Sequence, residues 1–121
     1  MKIFFIIMSL IFVVPAQAEI RASWYSSASL KKEGTWKTSK GIQANGQPFN
    51  ENALTAACRM YPLGARIRVT NARNGRSVVV KVTDRIGKRF ATTRIDLSKA
   101  AFQKIADLDQ GIVPITVRRL S

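Results

Sequence analysis

The chain has 121 residues, with 20 Lys or Arg against 7 Asp or Glu, no histidine and a single cysteine. That length holds one core and one working surface rather than two domains, and a net charge of +13 attracts anionic partners without specifying a fold. The absent histidine excludes His-based triads, His metal sites and imidazole proton shuttles, and the lone thiol excludes an internal disulfide.

At the N-terminus, Lys2 precedes an apolar run over residues 3–14 and then Pro15-Ala16-Gln17-Ala18. These are the charged, hydrophobic and small-residue parts of a secretory signal over 1–18, with cleavage expected after Ala18. The apolar run is too short to cross roughly 30 Å of hydrocarbon as a helix. No cysteine lies near the cut, so a lipid-modified N-terminus is not expected. Residues 19–121 would then be one exported domain, periplasmic or extracellular. An exported basic chain seldom meets nucleic acid; outside the membrane the abundant polyanions are cell-wall polymers and lipid headgroups. A basic surface that serves solubility alone is the plain alternative.

Residues 20–25 (IRASWY) combine aromatic and β-favouring side chains and predict a first strand. A long polar loop over 26–43 follows, carrying Lys31, Lys32, Lys37, Lys40 and Trp36. Asn45-Gly46 is a tight-turn signal, since both residues tolerate positive φ. Residues 53–59 are expected to be extended and half-buried, and Pro62-Leu63-Gly64 to turn. RIRVT (66–70) alternates polar and apolar residues, SVVVKVT (77–83) begins as a β-branched run, and Asn74-Gly75 lies between them: a hairpin. Residues 84–93 form a basic loop. RIDL (94–97) is a short strand, Ser98 caps a helix through 106 whose inner face is Ala100, Ala101 and Ile105, and 112–117 is the last strand. Six short strands and one or two short helices, with no repeat, point to a compact, mostly β barrel.

The seven carboxylates are Glu19, Glu33, Glu51, Asp84, Asp96, Asp107 and Asp109. Asp84, at the end of an apolar strand, and Asp96, within RIDL, differ from the others, which fall at the new terminus or in polar loops and turns. A carboxyl half withdrawn from water at a strand end is placed for acid work. The plainer readings are that Asp96 caps backbone amides ahead of the helix and that Asp84 pairs with Arg85 or Arg89. Cys58 reads as a small buried hydrophobe, a weak hydrogen-bond partner of either aspartate, or a reactive thiol.

The segments ASWY (22–25), ANG (44–46), ALTAA (53–57), PLG (62–64), RVTN (68–71), NGRSVVV (74–80), DR (84–85) and IDLSKAA (95–101) occur in order. Together they resemble the double-psi β-barrel domain of the RlpA (rare lipoprotein A) family, secreted lytic transglycosylases that cut peptidoglycan glycan strands. The resemblance covers nearly all of 19–121 and implies a six-stranded double-psi barrel without cofactor or metal. It implies that one carboxyl protonates the oxygen between N-acetylmuramic acid and N-acetylglucosamine and then takes a proton from the muramyl 6-hydroxyl, leaving a 1,6-anhydro end. Asp96 matches the general acid of related barrels, and Asp84 matches the aspartate of the family's DRGP segment, expected to hold a sugar hydroxyl or tune Asp96. Sugar contact is expected from Trp24, Tyr25, Asn45, Gly46, Gln47, Asn50, Thr55, Cys58 and Arg85. Gln47, Asn50 and Cys58 stand where the family has Glu, Asp and His, and Ile86-Gly87 follows Asp84-Arg85 where the family reads DRGP. Amides keep a carboxylate's hydrogen-bonding shape but carry no proton, so the alternative is an expansin-like module that binds glycan without turnover. Peptidoglycan strands are the expected partner, with envelope or division proteins as further candidates and a monomer as the expected state. The chain stops after the barrel, where many relatives carry a SPOR domain, so septal recruitment by that route is not expected.

Overall fold

The computed structural model describes residues 19–32, 34 and 39–121; the expected signal over 1–18, and Glu33, Trp36 and Lys37, lie outside the described residues. Six strands close into a barrel: β1 Arg21–Tyr25, β2 Thr55–Ala57, β3 Arg66–Asn71, β4 Ser77–Asp84, β5 Arg94–Ser98 and β6 Ile112–Arg119, in the order β1-β5-β2-β4-β3-β6. β1 runs parallel to β5 and β2 parallel to β4, while the other neighbours are antiparallel. Closure pairs each of these six strands on both sides, which suits a chain with a single cysteine.

The hairpin forms where its turn signal stands. β3 and β4 pair from Arg66↔Lys81 to Thr70↔Ser77, and Gly75, at φ +74°, donates its amide to Asn71 O at 2.9 Å. That φ belongs to the left-handed region, which glycine enters without a Cβ clash. Alternation in β3 sends Ile67 and Val69 inward, where they meet Val80 and Val82 of β4, Ile95 and Leu97 of β5 and Val113 of β6, all nearly or fully buried. Helix α2 (Lys99–Ile105) lies against this core through Ala101, Phe102 and Ile105. Ser98 caps it as expected, its Oγ accepting from Ala101 N at 3.2 Å. The inner face differs from the expected one: Phe102 is fully buried and Ala100 only half-buried. The end of α2 is held by the hairpin loop, since buried Asn71 and neighbouring Asn74 each donate a side-chain N–H to Ile105 O at 2.9 Å.

Two further expectations change. The polar stretch after β1 begins not as loop but as helix α1 (Ser27–Lys32), started by Ser26, whose hydroxyl accepts from Ser29 N at 3.2 Å. Its sequence, SASLKK, has no apolar period to announce a helix; Leu30 alone packs inward, against Tyr25, Phe49 and Ala57. Of the stretch expected to be extended over 53–59, Thr55–Ala57 alone pairs as a strand, and its pairing with β4 shifts register between Ala56 and Ala57.

Candidate active site

Barrel register builds the floor of the site. Ser23 on β1 pairs with Asp96 on β5, Asp96 with Ala57 on β2, and Ala57 with Asp84 on β4. In-register neighbours share a face, so these four side chains form one row across four strands. Their sequence neighbours Ala22, Ala56 and Leu97 point into the core, which leaves the row on the outer surface. Ala57 matters by being small: it separates the two aspartates by two strand spacings, about 9–10 Å between Cα atoms, without filling the space above. A cleft of about 550 Å³ opens there, lined by Ser23, Tyr25, Asp84 and Asp96 and walled by the segment after β4.

The aspartates, both half-buried, are held differently. Asp96 Oδ1 accepts from Ser23 Oγ at 3.0 Å, a bond between two members of the row. Asp84 Oδ1 accepts two backbone amides, Ala44 N at 3.0 Å and Arg85 N at 2.8 Å. The pairing with Asp84 read for Arg85 does not form, since the Arg85 guanidinium donates through Nη1 to Cys58 O at 2.8 Å and Tyr61 O at 2.7 Å, and Ser98 caps the helix at Ala101 N.

Asp84 therefore fixes the loop that carries the amides. Thr83 Oγ1 donates to buried Gln43 Oε1 at 2.6 Å, and Asn45 N to Thr83 O at 3.1 Å, so residues 43–45 are stitched to the end of β4. A turn follows as the Asn45-Gly46 signal required: Gly46 N donates to Gln43 O at 2.9 Å with Gly46 at φ +84°, and Asn45 Oδ1 accepts from Gln47 N at 3.0 Å. Asn45, Gly46 and Gln47 are exposed at the tip. Asn50 is exposed too, its Oδ1 accepting from Asn52 N at 2.9 Å.

Tyr25 shares the outer face with Ser23, two residues earlier. Phe49 stacks on it at 4.4 Å with 18° between the rings. Burial pushes the phenol far above its ordinary 10.0, and the negative fields of Asp84 and then Asp96 push it further. Trp24 contributes to the cleft wall while packing on the main core and donating Nε1–H to Leu108 O at 3.1 Å. On the far wall, Phe90 lies between two cations, with the Arg89 guanidinium carbon 4.5 Å and that of Arg94 4.4 Å from its ring centre.

Of the residues expected at a site, Asp84, Asp96, Trp24, Tyr25 and Arg85 line the cleft, and Asn45, Gly46 and Gln47 stand on the loop tied to Asp84. Asn50 and Thr55 do not line it. Cys58 is fully buried in the core cluster, its amide donating to Asp84 O at 3.1 Å. Burial raises its thiol above the ordinary value, partly offset by the amides of Tyr61 and Met60 and by the Arg85 charge, so it is a small neutral core side chain. Sequence reasoning missed Ser23, Leu30, Phe90 and Arg94. Ser23 had a signal, its two-residue spacing from Tyr25 on one strand; Phe90 and Arg94 had none, because a 3-10 turn at Lys88–Phe90 brings them to the cleft.

Residues 17–117 match the protein family described as lytic transglycolase. The chain is 40% identical over 103 residues to a probable endolytic peptidoglycan transglycosylase RlpA of Nostoc, covering 85% of this chain but only 27% of that protein. It is 37% identical over 99 residues to the endolytic peptidoglycan transglycosylase RlpA of Neisseria meningitidis, covering 82% of this chain and 37% of that one. The chain thus spans well under half the length of these two relatives. Among solved structures, a Clavibacter michiganensis expansin superposes with a TM-score of 0.62 at 23% identity, over 86% of this chain and 50% of that one, a likeness of fold. With the closed barrel and the two aspartates in place, these matches show that the chain belongs to the RlpA-like lytic transglycosylase family, on a double-psi β-barrel.

Proposed function

We propose that this chain is an exported lytic transglycosylase that cleaves the N-acetylmuramic acid to N-acetylglucosamine bond of peptidoglycan, with Asp96 as the acid and base. The observation that carries the reading is the row Ser23-Asp96-Ala57-Asp84, which sets two half-buried carboxyls over one cleft with a gap between them. Protonated Asp96 gives its proton to the glycosidic oxygen as the bond from C1 breaks. The muramyl 6-hydroxyl oxygen then bonds to C1 and returns its proton to the Asp96 carboxylate, so the acid is restored and no water is consumed. Ser23 orients Asp96 by its hydrogen bond. Asp84, anchored by two amides through Oδ1, contributes fixed negative charge to the positive sugar ring of the transition state. Arg89 and Arg94 give the rim a positive field suited to an acidic wall polymer.

The reading is tested by incubating the purified chain and Asp96→Asn with sacculi and with peptide-stripped glycan, and analysing products by mass spectrometry. Products with 1,6-anhydromuramyl ends that vanish in the variant are expected. Reducing ends would instead make it a hydrolase, with Asp84 activating water. A second reading, glycan binding without turnover in the same cleft, is favoured by the exposed loop tip, where Asn45 and Gln47 offer only amides. It predicts no products from either protein and equal retention on the glycan.

A further inference from the structure

Tyr25 is 6% exposed, and its hydroxyl is one of two buried side-chain oxygens, with Thr55 Oγ1, that have no hydrogen-bond partner among the described residues. Folded proteins seldom leave a buried polar group unpaired, because it has given up water and received nothing in return. This group belongs to a residue lining the cleft and sits in the fields of both aspartates. Stacking on a sugar ring is not what it offers, since Phe49 covers the ring and Leu30 and Ala57 pack in the same cluster. What remains is one O–H donor with Leu30 and Ala57 packed in its cluster and the two aspartates acting on it from the cleft.

The partner that completes such a spot needs an acceptor oxygen joined to a small apolar group. A sugar hydroxyl supplies an acceptor but nothing apolar to meet Leu30 and Ala57. An acetamide fits on both counts. We propose that Tyr25 is a specificity-determining contact for the 2-acetamido group of a bound sugar: its hydroxyl donates to the acetamide carbonyl oxygen while the acetamide methyl packs on Leu30 and Ala57, Leu30 yielding to admit it. The inference rests on the glycan reading of the cleft but not on turnover. Being held as a neutral phenol at every working pH, Tyr25 keeps its proton and remains a donor throughout.

The test compares two neutral hexasaccharides that differ at the sugar 2-position, N-acetylchitohexaose and cellohexaose, by calorimetric titration of the wild-type chain and Tyr25→Phe, with thermal unfolding of both proteins. The wild type is expected to favour the acetamido ligand by at least tenfold. Tyr25→Phe is expected to lose about tenfold on that ligand and little on the other, with unfolding no earlier than wild type because it deletes an unpaired buried hydroxyl. Unchanged discrimination in the variant, or variant unfolding several degrees earlier with its preference intact, would make the hydroxyl structural and overturn the inference. A wild type that binds both ligands equally overturns the acetamide assignment and spares the glycan reading, whereas one that binds neither removes both.

Discussion

The floor of the cleft and the loop at its edge place polar side chains over the same space by opposite means. On the floor, Ser23, Asp96 and Asp84 are fixed by strand register on either side of Ala57, so their spacing is a property of the whole barrel. On the loop, residues 43–45 are pinned to β4 through Thr83 and Asp84, but Asn45, Gly46 and Gln47 project into solvent from that anchor. The groups able to carry a proton are on the rigid part and the amides are on the exposed part. Chemistry that depends on a few tenths of an ångström belongs on strands, while contact with a variable polymer tolerates a loop.

Removing the floor's proton carrier tests this division most severely. Asp96→Asn keeps shape and can still accept from Ser23 Oγ, so the barrel should stand while anhydro-product formation falls by roughly 10²–10⁴-fold. Retention on peptide-stripped glycan should change only a few-fold. Loss of retention in step with turnover would mean that Asp96 holds sugar rather than moving protons.

Asp84 belongs to both regions, so its two substitutions should separate. Asp84→Ala strips the acceptor from Ala44 N and Arg85 N and is expected to cost about 1–3 kcal/mol in denaturant unfolding as the loop comes loose. Asp84→Asn can keep that acceptor and lose only charge, giving a smaller stability change but a turnover deficit of at least about tenfold. Equal stability losses in the two would place the anchor in the charge rather than in the hydrogen bonds.

High pH reports on the barrel rather than on the loop tip of Asn45, Gly46 and Gln47, which has no titrating side chain. The Cys58 thiol and the Tyr25 phenol are both raised in the folded chain, so above their ordinary values of 9.0 and 10.0 the folded state keeps protons that the unfolded chain has lost. Stability is therefore unaffected by these groups below about pH 8 and falls as pH rises through 9.0, by at most about 1.4 kcal/mol per unit for each group. Cys58→Ala should delay the onset towards 10.0, and Tyr25→Phe should remove the later part, both measurable by urea unfolding across pH 8–11.

The arginine wall is expected to contribute less. Arg89→Ala combined with Arg94→Ala removes both cations from Phe90 at the cleft rim. Retention on sacculi should weaken several-fold at low salt and by much less at high salt, since rim charges act mainly through a screened field. A salt-independent loss would show that they contact the glycan directly.

How much of this was legible in the sequence depends on whether the signal was local. The β3–β4 hairpin announced itself through RIRVT, Asn74-Gly75 and SVVVKVT, and Ser98 announced α2, because turn and cap chemistry are written in consecutive residues. Asp84 and Asp96 stood out as carboxyls beside apolar strands, but that Ala57 lies between them follows from pairing three distant segments, which no window displays. Helix α1 was hidden by its polar composition, and the Arg89-Phe90-Arg94 stack by a 3-10 turn without a strong signature. Cys58 carried two readings: as a residue it read as a small buried hydrophobe, which its packing beyond the end of β2 bears out, while its place in the resemblance pointed to sugar contact, which that burial does not support.

The mildest change, Gln47→Glu, sharpens the comparison by installing a carboxyl on the loop. Gln47 is exposed and its amide N–H is held by Asn45 Oδ1, a backbone bond that the substitution leaves alone, so stability should move by no more than about 0.5 kcal/mol. If proton transfer belongs to the floor, the new carboxyl contributes contact and charge only, and turnover should change by less than about threefold, since an exposed charge is worth little. A gain of tenfold or more, with a new acidic limb in the pH–rate profile, would place a second proton-moving group on the loop. The exposed tip would then have to close over the glycan during turnover, because a carboxyl left in solvent cannot be held within hydrogen-bond reach of the reacting oxygen.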